Sequence, residues 1–128
     1  MYNPPMITYD EFKKVEIRAG KILSVEKVPD TDKLLKLSVD FGEKIENLLP
    51  DGTKEVVLKP RQIISGIALY FPDITILAGK TCMFVTNLEP RTIRGFESQG
   101  MIFAVSTEAG AFSLLEPHGD IPPGTQAG

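Results

Sequence analysis

Cysteine and histidine are almost missing from this sequence: Cys82 and His118 are the only ones among its 128 residues. A single cysteine excludes an intrachain disulfide and suits a reducing compartment, so a cytoplasmic location is expected. Two such residues are too few for a zinc site, which needs several Cys or His ligands. No metal and no cofactor are expected. A Ser-His-Asp relay would have to use His118, which sits in the turn-like stretch Glu116-Pro117-His118-Gly119 with no Gly-x-Ser-x-Gly elbow elsewhere. The phosphate-cradling Walker-A loop and Gly-x-Gly-x-x-Gly are absent too. Cys82 lies in an apolar stretch and reads as a buried structural thiol. The paired acids Asp30 and Asp32 sit in a turn, where Asp is favoured for backbone reasons. The chain is therefore not expected to be an enzyme. No run of about 18 apolar residues occurs, so no membrane span and no membrane partner are expected. The start, Met1-Tyr2-Asn3-Pro4-Pro5, lacks the basic and apolar regions of a secretion signal.

Basic residues are missing from the last part of the chain. All 14 Lys and Arg lie in residues 13–94, and residues 95–128 carry four acidic side chains and no basic one. The net charge of −3 argues against a polyanionic partner, but this uneven distribution leaves room for a basic face on an acidic whole. With 42% hydrophobic and 24% charged residues, the composition is that of a folded globular chain. One domain over residues 1–128 is expected, with its core at about 8–125.

Thr8 followed by Glu11 forms a capping-box pattern, which predicts a short helix over residues 8–13. Strand and turn dominate thereafter. Residues 15–28 alternate, which places Val15, Ile17, Ala19, Leu23 and Val25 on one face. Lys21 breaks that face just after Gly20, a position for a bulge or bend. Pro29-Asp30-Thr31-Asp32 is a turn. In residues 34–41, Leu35, Leu37, Val39 and Phe41 are predicted to point inward. Residues 43–55 read as a surface loop around Pro50-Asp51-Gly52. Val56–Leu58, Gln62–Ala68, Cys82–Leu88 and Met101–Ser106 read as strands, and Tyr70–Gly79 as irregular or briefly helical. The tail, with Pro117, Pro122 and Pro123, can form neither a regular helix nor a central strand. The pattern predicts an all-β barrel of about five strands with a short N-terminal helix and a C-terminal extension. Phe103, Phe112, Leu114 and Leu115 exceed what a small barrel needs and hint at an interface.

Residues 87–101, NLEPRTIRGFESQGM, lie between two apolar strands yet are rich in polar groups. Pro90, Gly95 and Gly100 constrain the path, and Asn87, Arg91, Arg94, Ser98 and Gln99 supply two guanidiniums, two amides and a hydroxyl. Arg suits phosphate through its planar fork and bases through stacking. Met101 offers an apolar, polarizable face. The competing reading is a plain hairpin whose arginines pair with Glu89 and Glu97.

The string NLEPRTIRGFESQGMI resembles the signature of the tRNA-binding domain family. Residues 61–68, RQIISGIA, are similar to a second family motif. Residues 12–37 resemble the family's opening strands and their Asp-Lys-Leu turn, and Ile121-Pro122-Pro123-Gly124 fits its ending. The resemblance spans about residues 8–125. The family includes C-terminal domains of methionyl-tRNA synthetases and stand-alone tRNA-binding proteins. It implies an OB-fold five-stranded barrel, a homodimer, and tRNA as partner. It further implies recognition of tRNA by structure, largely independently of sequence, by a free factor or by an appendage to a catalytic synthetase domain. Carried over by motif, the RNA contacts are Lys33, Asn87, Arg91, Arg94, Ser98 and Met101. Lys21, Lys36 and Arg61 are weaker candidates, argued from charge and position. Thr92 and Ile93 replace a basic residue often found there, and Glu89 precedes the proline. The alternative is a chaperone-like, protein-binding dimer of the same superfamily, related to protein export.

Overall fold

The computed structural model describes residues 4–128; what was read from Met1–Asn3 lies outside the described residues. The capping box forms: Thr8 Oγ1 accepts from the Glu11 N–H at 3.1 Å, and Glu11 Oε1 accepts from the Thr8 N–H at 3.3 Å. These two bonds satisfy donors that a helix start leaves free. The helix, α1, covers only Tyr9–Phe12 and buries none of its side chains.

Eleven strands follow among the described residues: β1 (Ile17–Lys27), β2 (Leu35–Asp40), β3 (Lys44–Leu48), β4 (Lys54–Leu58), β5 (Arg61–Ser65), β6 (Thr81–Val85), β7 (Arg91–Ile93), β8 (Phe96–Ser98), β9 (Met101–Ile102), β10 (Ala104–Ser106) and β11 (Phe112–Leu114). Five form one antiparallel sheet in the order β5-β2-β1-β6-β9. Its two outer strands are brought together by residues 97–100, so the sheet is a nearly closed barrel. The expected all-β barrel, short first helix and C-terminal extension are all present. Residues Ala68–Tyr70 and Ile74–Leu77 are short 3-10 turns. Asp73 caps the second, and Gly79, at φ +89°, follows it as the stop.

The barrel is filled from β2 and the residue that follows it: Leu35, Leu37, Val39 and Phe41 are buried as predicted. They pack with Ile22, Ile63, Leu77, Cys82 and Phe84. The Phe41 and Phe84 rings meet edge-on at 5.1 Å. Burying each such side chain contributes roughly 1.5–3 kcal/mol.

Three expectations change. Around β1 the inward face is mostly the other one: Gly20 and Ile22 face the core and Val15 and Leu23 are exposed, although Ala19, on the expected face, is buried. A Cβ on Gly20 would lie 2.5 Å from the Phe41 ring and 2.6 Å from Val39, so this glycine permits close approach. The register shift falls between Ile22 and Ser24 and reverses the alternation, which is why Val25 returns to the core. Residues 43–55 are no open loop but most of the β3–β4 hairpin, which stands off the barrel. The strand expected over Met101–Ser106 breaks at Phe103, whose N–H turns back to Met83 O at 3.0 Å, leaving β10 to pair with β11.

Candidate nucleic-acid interface

The polar segment after β6 folds into the hairpin β7–β8, in which Arg91 pairs with Ser98, Thr92 with Glu97 and Ile93 with Phe96. Its two central residues, Arg94 at φ +52° and Gly95 at φ +84°, both take the left-handed conformation required by a type I′ turn. The competing reading was right about shape. It was wrong about charge: among the described residues, no carboxylate lies within ion-pair distance of Arg91 or Arg94, and the Glu89 and Glu97 carboxylates form no ion pair. Both guanidiniums are exposed.

The hairpin is seated on β5 by hydrogen bonds from its second strand. Ser98 is buried; its Oγ accepts from the Ile64 N–H at 3.0 Å and donates to Gly100 O at 3.1 Å. Gln99 Oε1 accepts from the Gln62 N–H at 2.9 Å, and Gln62 Nε2 donates to Glu97 O at 3.0 Å. Because Ile64 pairs with Lys36, the row Lys36–Ile64–Ser98–Arg91 crosses four strands. Lys36 Nζ lies 4.9 Å from the Phe96 ring centre and 3.5 Å from Glu26 Oε2. A small cleft of about 80 Å³ opens between Ile64, Leu88, Arg91, Ile93, Ser98 and Met101. Thus Arg91, Ser98 and Met101 share one site, with Lys36 beside it. Met101 is 45% exposed at its edge.

The other candidates fall elsewhere. Asn87 is spent within the chain: its Oδ1 accepts from the Glu16 N–H at 2.8 Å and its Nδ2 donates to Lys14 O at 2.5 Å. It ties the segment before β1 to the start of the hairpin loop. Arg61 is also engaged internally, by Glu43, Thr86 and Gln99. Lys33 is exposed in the turn before β2, and its carbonyl receives the Ala68 N–H at 3.0 Å. Lys21 stands beside Asp40 and Thr81 near the opposite end of β2, away from the hairpin. The structure thus gives Ser98, Asn87 and Arg61 internal hydrogen-bonding roles, which the motif resemblance did not assign them. Each has at least one hydrogen bond to a residue far along the chain, which spacing in sequence does not disclose.

Sequence reasoning passed over Phe96, Ile64 and Leu88. Phe96 had a usable signal, an aromatic inside a cationic, polar loop, the combination that stacks on unpaired bases. Ile64 and Leu88 are set beside the loop only by folding.

Two titratable groups are displaced in ways that explain local order. The Glu43 carboxyl is held below the usual range by its hydrogen bonds from Arg61, against the opposing effect of burial. The Cys82 thiol is pushed up to about 11, first by burial. It sits in the core and is inert at neutral pH. The His118 stretch lines a separate cleft with Thr81, Glu116 and Asp120. No group of three or more His, Cys, Asp or Glu that could hold a metal occurs among the described residues. No helix among them is long and apolar enough to cross a membrane.

A family model described as a putative tRNA binding domain matches residues 17–126. The methionine–tRNA ligase of Chloroherpeton thalassium is 42% identical over 116 residues, which is 91% of this chain and 14% of that protein. The methionine–tRNA ligase of Methanoregula boonei is 43% identical over 123 residues, 95% of this chain and 16% of that protein. The chain thus spans only a small part of the ligases it matches. Among solved structures, a MetRS-related protein from Pyrococcus horikoshii superposes with a TM-score of 0.79 at 34% identity, covering 97% of this chain and 99% of that one. A CsaA chaperone protein from Picrophilus torridus superposes with a TM-score of 0.73 at 27% identity, covering 96% and 100%.

Proposed function

This chain belongs to the putative tRNA-binding domain family, and we propose that it binds folded tRNA through the β7–β8 hairpin and the adjoining face of β2 and β5. The observation that carries this reading is that Arg91 and Arg94 stand exposed and unpaired on a pinned hairpin, in a chain with a net charge of −3. On such a chain, free guanidiniums gathered in one place are the feature that can attract a polyanion.

In this reading Arg91, Arg94, Lys33 and Lys36 take phosphates, and Phe96 and Met101 offer faces to exposed bases. Ser98 and Asn87 act through the backbone they hold. Phosphate contacts make recognition depend on the shape of the RNA and little on its sequence. The unit acts in the cytoplasm as a homodimer, by binding alone, as a free factor or beside a catalytic synthetase domain. Tethering of that kind raises avidity by roughly 10²–10⁴.

Binding of bulk tRNA by wild type and by Arg91→Ala/Arg94→Ala tests the proposal. With about four phosphates neutralised, log K should fall against log salt with a slope near −3. The double variant should bind roughly 10- to 100-fold more weakly, with a slope smaller by about two. Unchanged affinity would move the site off the hairpin. The second reading, a protein-binding chaperone, draws on the likeness to the CsaA chaperone protein and on exposed Leu69, Tyr70, Ile76 and Val105. Tight binding of a reduced, unfolded protein without tRNA binding would favour it.

A further inference from the structure

We infer that Arg61 and Glu43 are positioning residues for RNA binding: the Arg61 guanidinium fastens both ends of the 86–99 loop, and Glu43 holds the guanidinium to that task. The inference rests on the tRNA-binding reading above.

Arg61 opens β5, and its Nη1 donates to Thr86 O at 2.6 Å and to Gln99 O at 3.3 Å. These carbonyls are the two ends of the loop that carries Arg91 and Arg94. On its other edge, Nε and Nη2 donate to Glu43 Oε1 and Oε2 at 2.7 and 2.8 Å, a bidentate fork. A guanidinium has five N–H donors, and four are used here. The Arg61 side chain is only 22% exposed and lies 5.4 Å from the Phe41 ring centre. Little of it is left for a phosphate. Its work is to keep the feet of the loop together, so that the two free guanidiniums reach RNA already in place and less ordering is needed on binding.

Glu43 supplies an unusual sign test. Its side chain is 34% exposed and negative, close to a site for a polyanion. If it were a bystander, or if it merely masked Arg61 from phosphate, neutralising it would leave tRNA binding unchanged or tighten it. If it holds Arg61 on the loop, neutralising it must weaken binding although the protein becomes less acidic.

The experiment measures the affinity and salt slope of tRNA binding for wild type, Glu43→Gln, Arg61→Gln and the pair, below the melting temperature of each. Amide hydrogen exchange of residues 88–97 is read alongside. The expected result is that Glu43→Gln weakens binding about three- to thirtyfold, with the salt slope unchanged because no phosphate contact is lost. The double variant should be no weaker than Arg61→Gln alone. Exchange at 88–97 should speed up while core amides in β2 keep their protection. Equal or tighter binding by Glu43→Gln overturns the inference. So does a slope reduced by about one in Arg61→Gln, which would make Arg61 a phosphate contact. Should wild type bind no tRNA, the proposed function fails, and the exchange data alone decide whether the latch orders the loop.

Discussion

Arg94 holds a backbone conformation that L-residues other than Asn, Asp and Gly seldom adopt, at φ +52°. Such a position costs roughly 1–2 kcal/mol for most side chains, and strain of this kind collects at functional sites. The sequence Asn-Gly is the preferred pair for a type I′ turn. We expect Arg94→Asn to raise stability by about 0.5–1 kcal/mol in urea unfolding while lowering tRNA affinity. A variant that is neither more stable nor weaker in binding would remove both the strain and the role. At this scale much of the candidate site was legible, since Arg91, Arg94 and Met101 could be chosen by side-chain chemistry and are exposed together. The internal duties of Ser98 and Asn87 were not legible. Their partners, Ile64 and Glu16, lie 34 and 71 positions away.

The clearest case at the level of elements is the C-terminal extension. β1 pairs with β6 over Ile17–Lys21 but with β2 only from Lys21 onward. One edge of Ile17–Gly20 would be left open, and the tail covers it. The Ala19 N–H donates to Thr125 O at 2.9 Å, and Ala19 O accepts from Gly124 at 2.7 Å. Ile17 O accepts from Ala127 at 2.8 Å. Gly124, at φ +89°, packs against the Phe41 carbonyl so tightly that a Cβ would overlap it. Gly124→Ala should therefore cost about 1–3 kcal/mol in denaturant unfolding. A cost near zero would show that the tail adds little to the barrel. Pro122 and Pro123 ruled out a helix and a central strand correctly. They could not say which edge the tail would meet. The inward face of β1 was misread for a related reason: the alternation reverses at a bulge near Leu23, a few residues beyond the bend that Gly20 and Lys21 suggest, and only pairing with β2 fixes where it falls.

For the whole molecule, the excess apolar residues noted in the second half find a partly different use. Leu114 is buried in the barrel, and Phe112 stacks on Tyr70 with ring centres 4.0 Å apart. Exposed apolar side chains include Leu69, Tyr70, Ile76 and Val105, with exposures of 67%, 46%, 53% and 57%. Tyr70 and Ile76 line one cleft with Phe71 and Phe112, and exposed apolar groups favour burial against a partner. The proposed homodimer predicts a species of twice the 14.1 kDa chain mass in sedimentation at micromolar concentration. A single 14.1 kDa species would exclude it.

The sequence by itself determined the class of fold, because strand alternation and turn residues are local properties that survive in any tertiary setting. It also determined which side chains could meet a phosphate, because charge belongs to the residue. Tertiary structure alone decided which of them are available. A guanidinium is free or consumed according to the carboxylates and carbonyls that folding brings to it, and that is why Arg91 and Arg94 face solvent while Arg61 faces Glu43, Thr86 and Gln99.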